Sequence, residues 1–234
     1  MKHKLHIAYC NREDLTRGAI ADTRDIGNVH LWPNNGAQAL DIPGIEQHVL
    51  PDISPISMLN MMIQSSWDDD VMFWAHNDCT AQPGAALEFF QKTEELFASD
   101  KKWGVHFTLY DILCAFNMKA IREIGYWDPM YYQYTADVDY YHRVAIAGYS
   151  IEQWLAPGCD GRIGHHGSMT VRSDKLLNHR TQWAAKNDSA YFKFKWGQPP
   201  GTVPFESFNP APPALHPAQR ALRQHQSYPG GQRA

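Results

Sequence analysis

Two short stretches of this chain set metal-binding and proton-transferring side chains at spacings a fold could use. One is His76-Asn77-Asp78, which abruptly ends the apolar run Val71-Met72-Phe73-Trp74-Ala75. An imidazole, an amide and a carboxylate in succession have two readings. They form an ordinary polar turn, where Asn and Asp are common, or they are ligands delivered by a strand to a site at its carboxyl end. The other stretch is Thr135-Ala136-Asp137-Val138-Asp139, which opens a helical pattern over 135–149. Acids in a first helical turn are favoured by the helix dipole, so helix-start chemistry alone accounts for them unless one faces a site.

The elements around these stretches decide what they can reach. LHIAYC (5–10) alternates like a strand and runs into Asn11-Arg12; VHLW (29–32) runs into Pro33-Asn34-Asn35-Gly36, a turn signal. QHVL (47–50) is a third short strand, and VMFWA (71–75) has the continuous apolar character of a strand buried on both faces. Helical spacing covers 12–23, 54–66 and 83–99, the last opened by Pro83-Gly84. MKAIREIG (118–125) is a short helix with Gly125 at its C-cap. Strands alternating with helices imply βαβ units and a mostly parallel sheet, whose ligands bind beyond the carboxyl ends of the strands. Asn11, Asn34 and the His76-Asn77-Asp78 triplet all fall at such ends. Asn11 reads equally as a helix cap, and Arg12 either touches phosphate or is solvated.

Composition bounds the function. A chain of 234 residues with 44% apolar and 12% aromatic residues is long enough to bury a core. No apolar run approaches the roughly 20 residues that span a bilayer. Cys10, Cys79, Cys114 and Cys159 are scattered without a CxxC pair, which argues against a Cys-based zinc site and for free thiols in the cytoplasm. Residues 172–234 hold nine Lys or Arg against three acids, leaving residues 1–171 with −10 of the overall −4. From residue 198 the chain is Pro-rich without periodicity. The expected organisation is a domain over 1–197 and a basic tail over 198–234, either solvated or an interaction surface.

The stretch AFNMKAIREIGYWDPMYYQYTADVDYYHRVAIAGY resembles the acceptor-side half of family 2 glycosyltransferases, through Ile124-Gly125, Trp127-Asp128, Tyr134, Asp137-x-Asp139, Arg143 and Ala147-Gly148-Tyr149. IAYCNR is similar to that family's first strand, and PNNG occupies the place of its "DNG" turn. HND resembles its DxD metal motif with only the last acid kept, and HHGSMT (165–170) resembles its "HxGSxS" element. The likeness spans roughly residues 5–170. It implies an α/β, GT-A (nucleotide-diphospho-sugar transferase) fold: a Rossmann-like, mostly parallel central sheet flanked by helices, with a small acceptor-side subregion.

The resemblance also implies chemistry. Sugar transfer from a nucleotide-diphospho-sugar, a UDP-sugar by expectation, expels a charged leaving group that Mn²⁺ or Mg²⁺ neutralises. Asp78 and His165 are the implied metal ligands, with His166 the alternative to His165. His76 stands at the first DxD position and Asn77 beside it, where such residues act through water or the ribose. Asn11, Arg12 and Asn34 are implied on the nucleotide side. Asp137 maps to the general base of an inverting transfer, although the usual preceding Glu is Ala136. Asp139 is expected to brace the loop or pair with Arg143 at i+4, and the MYYQY cluster to form an acceptor lip.

The acceptor is open among a glycan, a protein and a hydroxymethylated base in DNA. The last follows from the mixture of cations and aromatics in RTQWAAKNDSAYFKFKWG, since Lys and Arg bind phosphates and rings stack on flipped bases. A catalytically inactive sugar-nucleotide-binding module is the alternative, supported by His76 and Ala136. A metal-dependent phosphohydrolase fits the N-terminal half and not residues 116–149.

Overall fold

The computed structural model describes residues 1–108, 111–154, 162–166 and 168–200. The Pro-rich tail beyond residue 200 and the fourth cysteine, Cys159, lie outside them. Seven strands form one sheet: β1 (His3–Tyr9), β2 (Val29–Pro33), β3 (Glu46–Gln47), β4 (Val71–Ala75), β6 (Trp103–Phe107), β7 (Leu113–Asn117) and β8 (Ser150–Gln153), in the order β3-β2-β1-β4-β7-β6-β8. The pairs β3/β2, β2/β1, β1/β4 and β6/β8 are parallel, and β7 runs antiparallel to both neighbours. A second, two-stranded sheet joins β5 (Cys79–Ala81) to β9 (Ile163–His165).

Helices cover both faces. α1 (Glu13–Thr23) and α3 (Ala85–Ala98) pack on one side, where Ala19, Ile20 and Phe89 meet Leu5, Ile7 and Phe73. On the other side α2 (Pro55–Ser65), α4 (Met118–Ile124), α5 (Ala136–Ile146) and α7 (Lys175–Trp196) enclose Met72, Val105 and Phe116. A short α6 (Met169–Arg172) precedes α7. This is the expected three-layer α/β architecture. β4 is its middle, with Val71, Met72, Phe73 and Ala75 wholly buried, as a strand covered on both faces requires.

Local chemistry explains the element ends. Ser54 caps α2 by accepting from the Ser57 amide at 3.1 Å, and Pro55 occupies the first helical position. Its apolar residues Ile56, Leu59, Met62 and Ile63 recur at helical spacing and are all buried, each contributing about 1.5–3 kcal/mol. Gly125 ends α4 at φ 92°, its amide bonded to the Ile121 carbonyl. Gly104 in β6 has no room for a side chain: an added Cβ would lie 2.7 Å from Val144 Cγ1 on α5.

Two expectations change. The strand read over 47–50 forms a ladder only over Glu46–Gln47, although the amides of His48 and Leu50 still bond to the Leu31 and Pro33 carbonyls. Residues 175–196, read as a charged and aromatic stretch, form the longest described helix. Its buried face is Thr181, Ala184, Asp188, Phe192 and Lys195, a stripe too polar to register as hydrophobic periodicity.

Candidate functional site

The carboxyl ends of β1, β2 and β4 and the start of β7 open onto one cleft of about 330 Å³. Its walls include Cys10, Asn34, His76, Asp78, Asp111, Tyr132, Tyr134, Asp137 and Ser168. β4 sets His76 there, its amide bonded to the Ile112 carbonyl, and the next residues turn at once: the Cys79 amide bonds back to the His76 carbonyl. The triplet is therefore a polar turn that also borders the cleft.

The β5–β9 pairing brings in the distant histidine. Cys79 lies opposite His165, and the His166 amide donates to the Asp78 carbonyl at 3.2 Å. The His165 Nδ1 stands 3.7 Å from Asp78 Oδ2 and accepts from the Ser168 amide at 3.2 Å, so it carries a lone pair. Asp78 is 3% exposed, and its Oδ2 has no hydrogen-bond partner among the described residues. A buried carboxylate oxygen without a donor is costly, and a cation satisfies it. His76 is held below its ordinary pKa by burial, with Asp78 opposing the shift and His165 adding to it. A donor set of one carboxylate and imidazole nitrogens fits Mn²⁺ better than Ca²⁺.

Asp137 sits in the first turn of α5 in the same cleft. Burial raises its pKa, and the amides of residues 137 and 138 partly offset this. Asp111, just before β7, was missed by the sequence reading. It adopts a left-handed φ of 56° and is pushed up to about 7, first by burial and then by the charge of Asp137, while a Tyr141 hydrogen bond opposes the shift. Two carboxyl groups that share a buried site cannot both ionise freely. Nothing in a lone Asp within TLYD marks it; only the antiparallel entry of β7 brings it to the cleft.

The remaining expected residues are brought close but bound up. The Asn34 side-chain amide is clipped to the Ile53 backbone, donating to its carbonyl at 3.0 Å and accepting from its amide at 3.2 Å. Asn77 accepts from Thr170 Oγ1 at 2.9 Å and donates to the Asn11 carbonyl and Thr16 Oγ1. Asn11 donates to the Thr170 carbonyl, leaving its Oδ1 buried without a described partner. These amides tie β1, β4 and α6 together at the floor of the cleft. Arg12 is not among the cleft residues; its guanidinium grips Asp14 through two bonds of 2.9 and 2.6 Å.

Asp139 points away from the cleft. It is fully buried, accepts from Arg143 Nε and Trp196 Nε1, and pairs with Lys195, as the bracing reading expects. Three residues lining the cleft, Asn35, Asp111 and Ser168, have left-handed φ between 56° and 61°. Such conformations persist where the surroundings enforce them and cluster at functional sites.

No protein-family profile and no curated protein matches this sequence. Solved structures do match. Glucosyl-3-phosphoglycerate synthase from Mycobacterium tuberculosis, in complex with Mn²⁺, UDP and glucosyl-3-phosphoglycerate, aligns at a TM-score of 0.59 and 9% identity, covering 86% of this chain and 82% of that one. A mannosyltransferase from Pyrobaculum calidifontis, in complex with GDP-Man and Mn²⁺, aligns at 0.52 and 12% identity over 97% of this chain and 84% of that one. The chain thus has the GT-A fold of nucleotide-sugar glycosyltransferases.

Proposed function

We propose that this protein is an inverting, divalent-metal-dependent glycosyltransferase that moves a sugar from a nucleotide-diphospho-sugar to an acceptor hydroxyl. The reading rests on one observation above others: the buried Asp78 Oδ2, without a hydrogen-bond partner among the described residues and 3.7 Å from His165 Nδ1, shares a cleft with Asp137. Asp78 and His165 would hold Mn²⁺ or Mg²⁺, with His76 adjacent. Bound there, the cation supplies charge neutralisation for the departing nucleoside diphosphate. Asn34 and the Ile53 segment it clips form the nucleotide wall. Asp137, whose raised pKa lies nearer neutrality than an ordinary carboxylate's, removes the proton of the acceptor hydroxyl. A single attack by that hydroxyl inverts the anomeric carbon. Tyr132 and Tyr134 shape the acceptor side, and the exposed Trp183 packs edge-on against Tyr132, extending an aromatic strip onto α7. That strip suits a ring-bearing acceptor, a glycan or a hydroxymethylated DNA base. The catalytic unit is residues 1–197. The described cysteines are free thiols, in keeping with a cytoplasmic enzyme, and no described helix is long and apolar enough to cross a membrane.

Thermal shift with UDP- and GDP-sugars plus Mn²⁺, followed by transfer assays, tests the reading. Asp78→Ala should abolish the metal-dependent part of the shift and leave the apo melting temperature close to wild type. Asp137→Asn should keep the shift and lose about 10²–10⁴-fold in transfer, the range for removing acid–base assistance. Equal Mn²⁺ dependence in Asp78→Ala removes the metal assignment; full transfer by Asp137→Asn removes the base. Sugar-nucleotide binding with no transfer by wild type would leave a binding module.

A further inference from the structure

Away from the cleft, at the β3 edge of the sheet, a second group of metal-competent side chains converges. His30 on β2 lies opposite Glu46 on β3 in the parallel register, and His6 on β1 lies opposite His30. Glu46 and His48 are two residues apart, so their side chains leave the same face. The ligating atoms of His30, Glu46 and His48 all lie within 4.8 Å of one another. His30 Nδ1 is 3.1 Å from His48 Nε2 and 3.6 Å from Glu46 Oε2, and His48 Nε2 is 3.3 Å from Glu46 Oε1. None of the three lines the cleft.

We infer that His30, Glu46 and His48 form a binding site for a zinc-class divalent cation, separate from the cleft. In a tetrahedral Zn²⁺ site with bonds of about 2.0–2.1 Å the ligand atoms stand roughly 3.4 Å apart, and the three separations here straddle that value. Two imidazoles and one carboxylate form a borderline-soft set that selects Zn²⁺, Co²⁺ or Ni²⁺ over Mg²⁺ and Ca²⁺. A hydrogen-bonded His30–His48 pair accounts for the 3.1 Å contact alone. It leaves unexplained why a carboxylate closes the triangle on the same two nitrogens.

The surroundings hold the ligands in place. Trp32 stacks on His48 at 4.1 Å between ring centroids. The Trp32 indole donates to His6 Nδ1 at 2.8 Å, which leaves the His6 Nε2 proton to donate to Ser66 Oγ. His6 is therefore a neutral, fully engaged wall of the site and not a ligand. Burial lowers the pKa of His30 against the opposing pull of Glu46. Lys4, the nearby cation, is paired with Asp69 at 3.6 Å and bonded to the Ser65 carbonyl. Glu46 has a side chain 64% exposed, so an ion enters from solvent and water completes its coordination. A cation here pins β3 to β2 and closes the irregular segment 34–45 between them, adjoining the Asn34–Ile53 clip of the nucleotide wall.

The test uses the full chain stripped with EDTA, in an Asp78→Ala background so that the cleft does not compete. Titrated with Zn²⁺ against a chromophoric chelator, this protein should bind one equivalent, with a rise in melting temperature. Adding Glu46→Gln or His48→Ala should weaken that binding by at least about tenfold, the minimum seen even for outer-sphere partners of metals. Glu46→Gln preserves shape at an exposed position, and circular dichroism of the metal-free variants verifies folding. Co²⁺ in place of Zn²⁺ should give visible absorption bands that Glu46→Gln alters. No Zn²⁺ bound in the Asp78→Ala background overturns the site, as does Zn²⁺ binding unchanged by both added substitutions.

Discussion

Asp111 shows how much a single side chain can owe to its neighbours. Its ordinary pKa is 3.8 and its folded value about 7, raised first by burial and then by Asp137. Because the folded pKa is the higher, the stability contributed by protonated Asp111 is fully present below about pH 4. It is lost as pH climbs to about 7, beyond which this group adds no further slope. Asp111→Asn fixes the neutral form, so its melting temperature should pull ahead of wild type between pH 4 and 7 and then run parallel. Melts across pH 4–8 check this, and equal slopes in both proteins would count against it.

At the scale of elements, α7 builds the acceptor wall through charge. Asp188 on α7 is 3% exposed and accepts from the backbone amides of Tyr132 and Gln133 at 3.1 and 2.8 Å, fixing the segment that carries the tyrosine lip. Asp188→Ala leaves two amides without that acceptor, at a cost of about 1–3 kcal/mol. Its KM for acceptor should rise more than its KM for donor, which steady-state kinetics with each substrate varied will resolve. Deeper in, Lys195 bridges Asp128 at 2.6 Å and Asp139 at 2.7 Å, and is itself 3% exposed. Lys195→Met removes the cation between the buried Asp139 and the half-buried Asp128, and chemical denaturation should register a loss of about 3–5 kcal/mol. Retained stability would mean that Arg143 alone suffices to neutralise Asp139.

For the whole molecule the open quantity is the acceptor. The body is acidic and residues 172–234 are basic, and the described part of that segment presents Leu176, Trp183 and Phe194 to solvent. If DNA is the acceptor, removing residues 198–234 should weaken its binding with a smaller salt dependence, because fewer phosphate contacts release counterions. Transfer to a small acceptor should survive. DNA affinity measured from 50 to 200 mM salt decides this: no DNA binding, or no salt dependence, favours a glycan or protein acceptor.

Much of this was legible in the residues. The buried strand Val71–Ala75 and the helices over 13–23, 55–65 and 85–98 follow from periodicity, with the Ser54 cap marking the start of the second helix, because each reports mainly on its own burial and local backbone bonding. Asp78 and Asp137 stood out because strand ends and helix starts are local features too. Three things waited for the tertiary structure. The β5–β9 register, joining segments more than eighty residues apart, put His165 rather than His166 nearest the Asp78 carboxylate. The packing of α7 turned a polar stretch into a core element, since Lys195 and Asp188 are buried only by virtue of the partners they meet. Asp111 and the His30–Glu46–His48 triangle gained their chemistry from strand order. Distance in space sets a pKa or a ligand sphere, and separation along the chain carries no information about it.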